Sequence, residues 1–223
     1  MLDLGAGTGA ASKAIAGHGG RPIALDPAHG MLLAALDPRG ATTPPTTVQA
    51  DALDLPLRTG SLGGVVAAFS LNHLTDPVRG LREAARVTAG GGPLVVTAYA
   101  ADDDHPVKAA TVAALTAAGW RAAPWYMALQ QRAMPLLATP DRCLDAARRA
   151  GLDARCDSLR IAFPELSAGD LVAWRLGMAQ HAPFVAGLDP AALEQVKADA
   201  LDRLGPDHPT LVRSVLVLTA VVG

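Results

Sequence analysis

Short apolar runs alternate with helix-like stretches over the first hundred residues. Leu2–Leu4 reads as a strand running into a glycine turn, and Ala10–Gly17 as the helix that leaves it. Pro22–Leu25 is a second strand ending at Asp26, followed by a short helix, His29–Leu36, stopped by Asp37-Pro38-Arg39-Gly40. A Thr/Pro loop over 41–47 leads to a brief strand at Val48–Ala50. Gly64–Phe69 is apolar without interruption, as expected for a strand buried on both faces. Asp76-Pro77 supplies an N-cap and a first-turn proline for a helix to about Ala89, closed by Gly90–Gly92. Pro93–Tyr99 is a fifth strand. This alternation predicts an α/β fold with a doubly wound, mostly parallel sheet.

Beyond residue 100 the texture changes. Pro106–Ala118 is alanine-rich and helical, and Thr139-Pro140 opens a helix ending at Gly151. Arg155–Phe163 reads as a strand. Ser167 and Asp170 have capping-box spacing for a helix through about Gln180. Asp189-Pro190 opens a helix to Leu204, and Leu211–Val222 is a β-branched last strand.

Half of the 223 residues are hydrophobic and the formal net charge is −2. That composition carries a full core, and no Lys/Arg block marks a nucleic-acid partner. No apolar run approaches membrane-spanning length, and the N-terminus lacks signal-peptide features. Cys143 and Cys156 form neither a metal pattern nor a disulfide framework. A reducing cytoplasm is the simplest setting. The composition also admits a homodimer.

The chemistry concentrates in the turn Gly5-Ala6-Gly7-Thr8-Gly9, where bare backbone can approach a polar ligand at a helix N-terminus. The same letters fit a dinucleotide fingerprint, with Asp26 as the ribose acid. Three features separate the readings. Asp3 sits inside the first strand, where a buried acid needs a cationic ligand group or backbone amides. Asp51-Ala52-Leu53-Asp54-Leu55-Pro56 follows strand three, with an acid and apolar neighbours suited to an adenine ring. Leu71-Asn72-His73-Leu74-Thr75-Asp76-Pro77 follows strand four.

On these motifs residues 1–100 resemble the S-adenosylmethionine-binding core of class I methyltransferases of the small-molecule type. The resemblance implies a seven-stranded Rossmann-like sheet with the last strand antiparallel. It also implies one domain, with helical substrate-cap insertions near 101–138 and 164–188. Asp3, Gly5, Ala6, Gly7 and Gly9 would hold the amino acid end of the cofactor, and Asp26 with Pro27 the ribose. Met31, Asp51 and Ala52 would meet the adenine, and Ser70 and Leu71 would border the sulfonium. Ser61-Leu62-Gly63-Gly64 stands where the family usually has Phe-Asp. The helices that precede strand one in the family have no counterpart in this reading. The 164–188 cap, an upstream segment or a neighbouring subunit would then cover the cofactor.

The implied reaction is methyl transfer to an O, N or C nucleophile of a small molecule, with S-adenosylhomocysteine as product. His73 and His181 are the histidines placed to act as a base. Tyr99, Trp125, Tyr126, Trp174 and Met178 are the expected substrate wall, with Trp174, Met178 and His181 on one helix face. Asp102–His105 reads as a solvated helix start, so no metal is expected. Two further readings stand beside this one. The chain could bind the cofactor without transferring methyl, as a cyclase-like or regulatory protein. It could also be a nicotinamide-dependent oxidoreductase.

Overall fold

The computed structural model describes residues 1–36 and 44–223. The predicted stop at Asp37–Gly40 and the first residues of the Thr/Pro loop lie outside them. The chain divides into two compact units. The first comprises Met1–Ala101, Leu129–Leu159 and Val215–Gly223; the second comprises Asp102–Ala128 and Arg160–Ser214. Residues 129–138, expected in a cap, thus group with the first unit, and 189–214, expected with the closing strands, group with the second.

The sheet has seven strands. They are β1 (Leu2–Leu4), β2 (Ile23–Asp26), β3 (Thr46–Gln49), β4 (Val65–Ala68), β5 (Pro93–Tyr99), β6 (Ala154–Phe163) and β7 (Leu211–Val221). Their order is β3-β2-β1-β4-β5-β7-β6. The first five pair in parallel, and β7 runs antiparallel to β5. The chain reverses its winding between β1 and β4. In open α/β sheets, ligands bind beyond the carboxyl ends of the strands at such a switch point. β3 begins two residues before the predicted strand. Thr46 and Thr47 join it because β-branched side chains suit a pleated strand, and they pair with Ile23 and Ala24.

The helices of the first unit are α1 (Ala10–Gly17), α2 (His29–Ala35), α3 (Pro77–Val87) and α6 (Pro140–Arg149). Asp76 caps α3 by accepting from the Arg79 amide at 3.0 Å. Val78, Leu81, Ala84 and Val87 then repeat at helical spacing and bury one face of α3. That face joins Leu2, Leu4, Val65, Leu94, Cys143 and Leu216 in one core. Burial between the sheet's two covered faces explains the unbroken apolar run of β4.

The second unit is helical, with α4 (Pro106–Ala117), α5 (Pro124–Ala128), α7 (Ala168–Leu176), α8 (Ala182–Val185) and α9 (Pro190–Leu204). α4 packs against α7 and α9 over a core that includes Val107, Leu115, Trp120, Leu171 and Val196. Ser167 and Asp170 form the predicted capping box. The helix they open stops at Leu176, not near Gln180. The Arg175 carbonyl, which would continue the ladder, accepts instead from the Met178 amide at 3.3 Å and lies 2.8 Å from His181 Nδ1. Trp174, Met178 and His181 therefore do not share one helix face. Trp174 is exposed, whereas His181 is fully buried. Asp103 also departs from the solvated reading. Its carboxylate takes Arg213 Nε at 2.9 Å and Nη2 at 2.7 Å, and the Ser214 amide at 2.8 Å.

Candidate active site at the ends of strands one, two and four

The turn after β1 is built from three left-handed glycines, Gly5, Gly7 and Gly9, with φ of 72°, 54° and 82°. Its amides are used internally. Those of Gly5 and Ala6 donate to the Leu25 carbonyl, and that of Gly9 to the Ala6 carbonyl. The Gly7 amide donates to Asp26 Oδ2 at 2.9 Å. Ser70 packs so closely on Gly5 that any side chain there would collide with it. The Ser70 hydroxyl donates to the Leu4 carbonyl at 2.5 Å, which ties the end of β4 to the end of β1.

Asp3 is buried, and its Oδ2 accepts from both the amide and the hydroxyl of Ser12, each at 2.7 Å. The sequence reading expected turn amides or a cationic ligand group in that place. Instead, a buried carboxylate takes the third amide of α1. The favourable end of the helix dipole is thus offset by the protein's own acid. Burial holds the Asp3 carboxyl above the usual range, opposed by the two Ser12 bonds, and the charge of Asp26 pushes it the same way.

Asp26 ends β2 with both oxygens engaged, Oδ2 by Gly7 and Oδ1 by the Ala28 amide at 2.9 Å. A carboxylate has about four acceptor positions, so two remain for a pair of hydroxyls. Pro27 and Met31 are exposed beside it, and the Met31 methyl lies over Gly7, 3.5 Å from where a Cβ would stand. After β3, Asp51 turns on itself, its Oδ1 accepting from the Leu53 amide at 2.9 Å, while Ala52 packs on the core.

Two residues absent from the sequence reading hold this last loop. Glu83 of α3 accepts from the Leu55 amide at 2.8 Å and pairs with Arg86, whose Nη2 and Nη1 reach the Leu55 and Leu57 carbonyls at 2.9 and 2.8 Å. The bonds from Arg86 hold the Glu83 carboxyl below its ordinary range. That sign means its stabilising share is present above the ordinary carboxyl pKa. It is lost as pH falls through the depressed folded value. Glu83→Gln should lower stability by about 2 kcal/mol, because the charge-assisted pair with Arg86 goes and one oxygen alone remains for the Leu55 amide. The deficit should shrink as pH falls below the Glu83 folded value. Urea melts across that range check both signs.

At the end of β4, Phe69 has a left-handed φ of 53°, uncommon for a bulky residue. Its amide donates to both the carbonyl and the hydroxyl of Thr97, and its ring stacks on Tyr99 with centroids 4.4 Å apart. The expected substrate residue Tyr99 thus belongs to an aromatic pair whose other member sequence reasoning missed. The unusual backbone of Phe69 left no mark in composition or spacing. Leu71 is fully buried and Asn72 nearly so, its Oδ1 without a partner. His73 ends the single turn Leu71–His73 with its side chain at the surface. Desolvation lowers its pKa and the Asp26 charge works the other way, so the imidazole is neutral at pH 7.

The remaining expected residues lie in the second unit. Trp125 is exposed and meets the half-buried Tyr126 edge-on, with centroids 5.6 Å apart. Met178 lies beyond the end of α7. His181 has no exposed surface and packs edge-on against Trp120 with centroids 5.0 Å apart. Its Nδ1 is taken by the Arg175 carbonyl, and burial lowers its pKa. A base must reach the proton it removes, and a fully enclosed ring does not. The His181 ring is thus enclosed among its neighbours in the second unit.

A glycine turn, an acid ending β2 and an Asp-Ala loop after β3, on a sheet of this order, define the class I methyltransferase fold. Residues 2–96 match the family model described as a methyltransferase domain. A demethylmenaquinone methyltransferase of Thermobifida fusca is 39% identical over 101 residues, covering 44% of this chain and 43% of that protein. The chain thus spans less than half the length of this curated relative. Among solved structures, a putative methyltransferase of Bacillus halodurans superposes with a TM-score of 0.62 at 16% identity, covering 99% of this chain and 90% of that one. The cyclase SpnF superposes with a TM-score of 0.54 at 22% identity, covering 100% and 75%. No helix among the described residues is long and apolar enough to cross a membrane.

Proposed function

We propose that this protein binds S-adenosylmethionine at the ends of β1, β2 and β3 and transfers its methyl group to a nucleophile on a small molecule. One observation carries the choice of ligand. The buried Asp3 carboxylate occupies the α1 amide end that a pyrophosphate would need, and most of the turn's amides are bonded internally. An anionic ligand would meet a buried negative charge there, whereas an ammonium group would be attracted. The residues fit the cofactor in other respects. Asp26 retains two acceptor positions for ribose hydroxyls, and Met31 and Ala52 offer apolar surface to a purine.

When bound, the cofactor supplies a sulfonium methyl that is already electrophilic. The chain's own work is to place the acceptor and exclude water. His73 is the base in this reading, since it is neutral at pH 7 and exposed beside Asp26. For an acceptor that must lose a proton, His73→Ala should lower kcat by about 100-fold or more. The wild-type rate should fall as pH drops through the His73 pKa, at a pH below the ordinary imidazole value. A profile unchanged in the variant would show that His73 only positions the loop.

Calorimetry with S-adenosylhomocysteine and NAD tests the cofactor, and NAD binding alone would overturn it. Methyl transfer is tested with the methyl-labelled cofactor and a metabolite extract. Cofactor binding without label transfer would favour a non-methylating role. The similarity to a demethylmenaquinone methyltransferase makes quinol-type acceptors the first to try. We expect the activity in the cytoplasm, and sedimentation of the purified protein decides whether it works as a homodimer.

A further inference from the structure

The second unit holds two arginines against one tryptophan. The guanidinium carbons of Arg175 and Arg213 lie 5.6 and 5.2 Å from the Trp174 ring centre. Arg213 is the more accessible of the two, and its Nε/Nη2 edge is filled by Asp103 in a two-pronged pair. Arg175 is 7% exposed, and the same two nitrogens, Nε and Nη2, have no hydrogen-bond partner. Its Nη1 donates to the Met178 sulfur at 2.7 Å, which is a weak acceptor for a charged donor.

A guanidinium does not shed its proton in a protein, so a buried one needs an anion. Tyr126 bonds the guanidinium and favours its charge more than any other neighbour, but as a hydroxyl and not as a carboxylate. Asp103 is committed to Arg213 and Ser214. Asp104 favours the Arg175 charge, but its carboxylate is solvent-exposed, 4.0 Å from Lys108 Nζ. Lys108 and Arg213 add positive charge, and Asp103 and Asp104 negative charge, around a cavity of about 30 Å³ that Arg175 also lines, so the cations outnumber the acids by one. That volume holds one or two water-sized groups. The empty edge presents two parallel N–H donors, which match the two oxygens of a carboxylate.

From this we infer that the cavity between α4, α7 and β7 is a carboxylate subsite, in which Arg175 grips the acid group of a small-molecule ligand through Nε and Nη2. The filled edge of Arg213 shows the same geometry completed by a residue of the chain. The size of the cavity argues against the bulkier phosphate. The site uses residues of the second unit alone, so it stands apart from the cofactor reading.

The test is thermal unfolding of the intact protein in sodium acetate, sodium chloride and inorganic phosphate at matched ionic strength. Acetate should raise Tm saturably, by about 3–5 °C at ten times its dissociation constant, with no such rise in chloride or phosphate. Arg175→Lys, which keeps the charge but loses the fork, should weaken acetate at least tenfold. Should that variant fail to fold, Lys108→Ala at the exposed rim should weaken acetate several-fold. Equal shifts in acetate and chloride, preference for phosphate, or wild-type acetate affinity in Arg175→Lys would each overturn the assignment.

Discussion

Asp26→Ala is expected to lower affinity for S-adenosylhomocysteine by about 30-fold, ~2 kcal/mol, through lost charge-assisted hydrogen bonds. The loss has two sources. The proposed acceptor for the ribose disappears, and the Gly7 and Ala28 amides lose the carboxylate that orients them. Asp26→Asn should fall between the two, because it keeps one oxygen and turns the other position into a donor. Calorimetry on the three proteins measures the series. Unchanged affinity in the alanine variant would remove Asp26 from the site.

Gly5→Ala should lower folding stability by about 3 kcal/mol, with left-handed strain and overpacking contributing similar shares. The added carbon would strike Ser70 Cβ, and the φ of 72° already disfavours any other residue. Gly19→Ala separates the two causes. Its φ of 77° carries the same strain, but nothing lies within 4 Å of the new carbon. That variant should cost about 1 kcal/mol. Ser70→Gly also removes the bond to the Leu4 carbonyl, so it serves as its own reference: adding Gly5→Ala to it should cost only the strain share. Urea denaturation of the five proteins decides. Equal losses at Gly5 and Gly19 would mean that Ser70 yields without cost.

The strands of the first hundred residues were legible because each carries its own signal. Val65–Ala68 is apolar on both faces, and Asp76-Pro77 marks a helix start by local chemistry alone. The end of β2 at Asp26 was legible from the apolar run that stops there. Partnerships set by tertiary folding were not. Glu83 and Arg86 look like an ordinary surface pair three residues apart, yet they reach back to the Leu55–Leu57 backbone. Asp103 looked like one of three solvated acids until β7 brought Arg213 beside it. The shared helix face of Trp174, Met178 and His181 fails because α7 ends at Leu176 and the chain turns beyond it, burying the His181 ring. Asp3 was recognised as unusual, but its partner Ser12 follows from how closely α1 packs back on β1.

The position of β7 sets an order of events. In the finished sheet it lies between β5 and β6, although it follows both in the chain. Until Leu211–Val221 has left the ribosome, β5 and β6 each present an unpaired edge. Such edges recruit other chains during synthesis. Chains halted before β7 should therefore aggregate through those two strands, while the β1–β5 portion has already paired within itself.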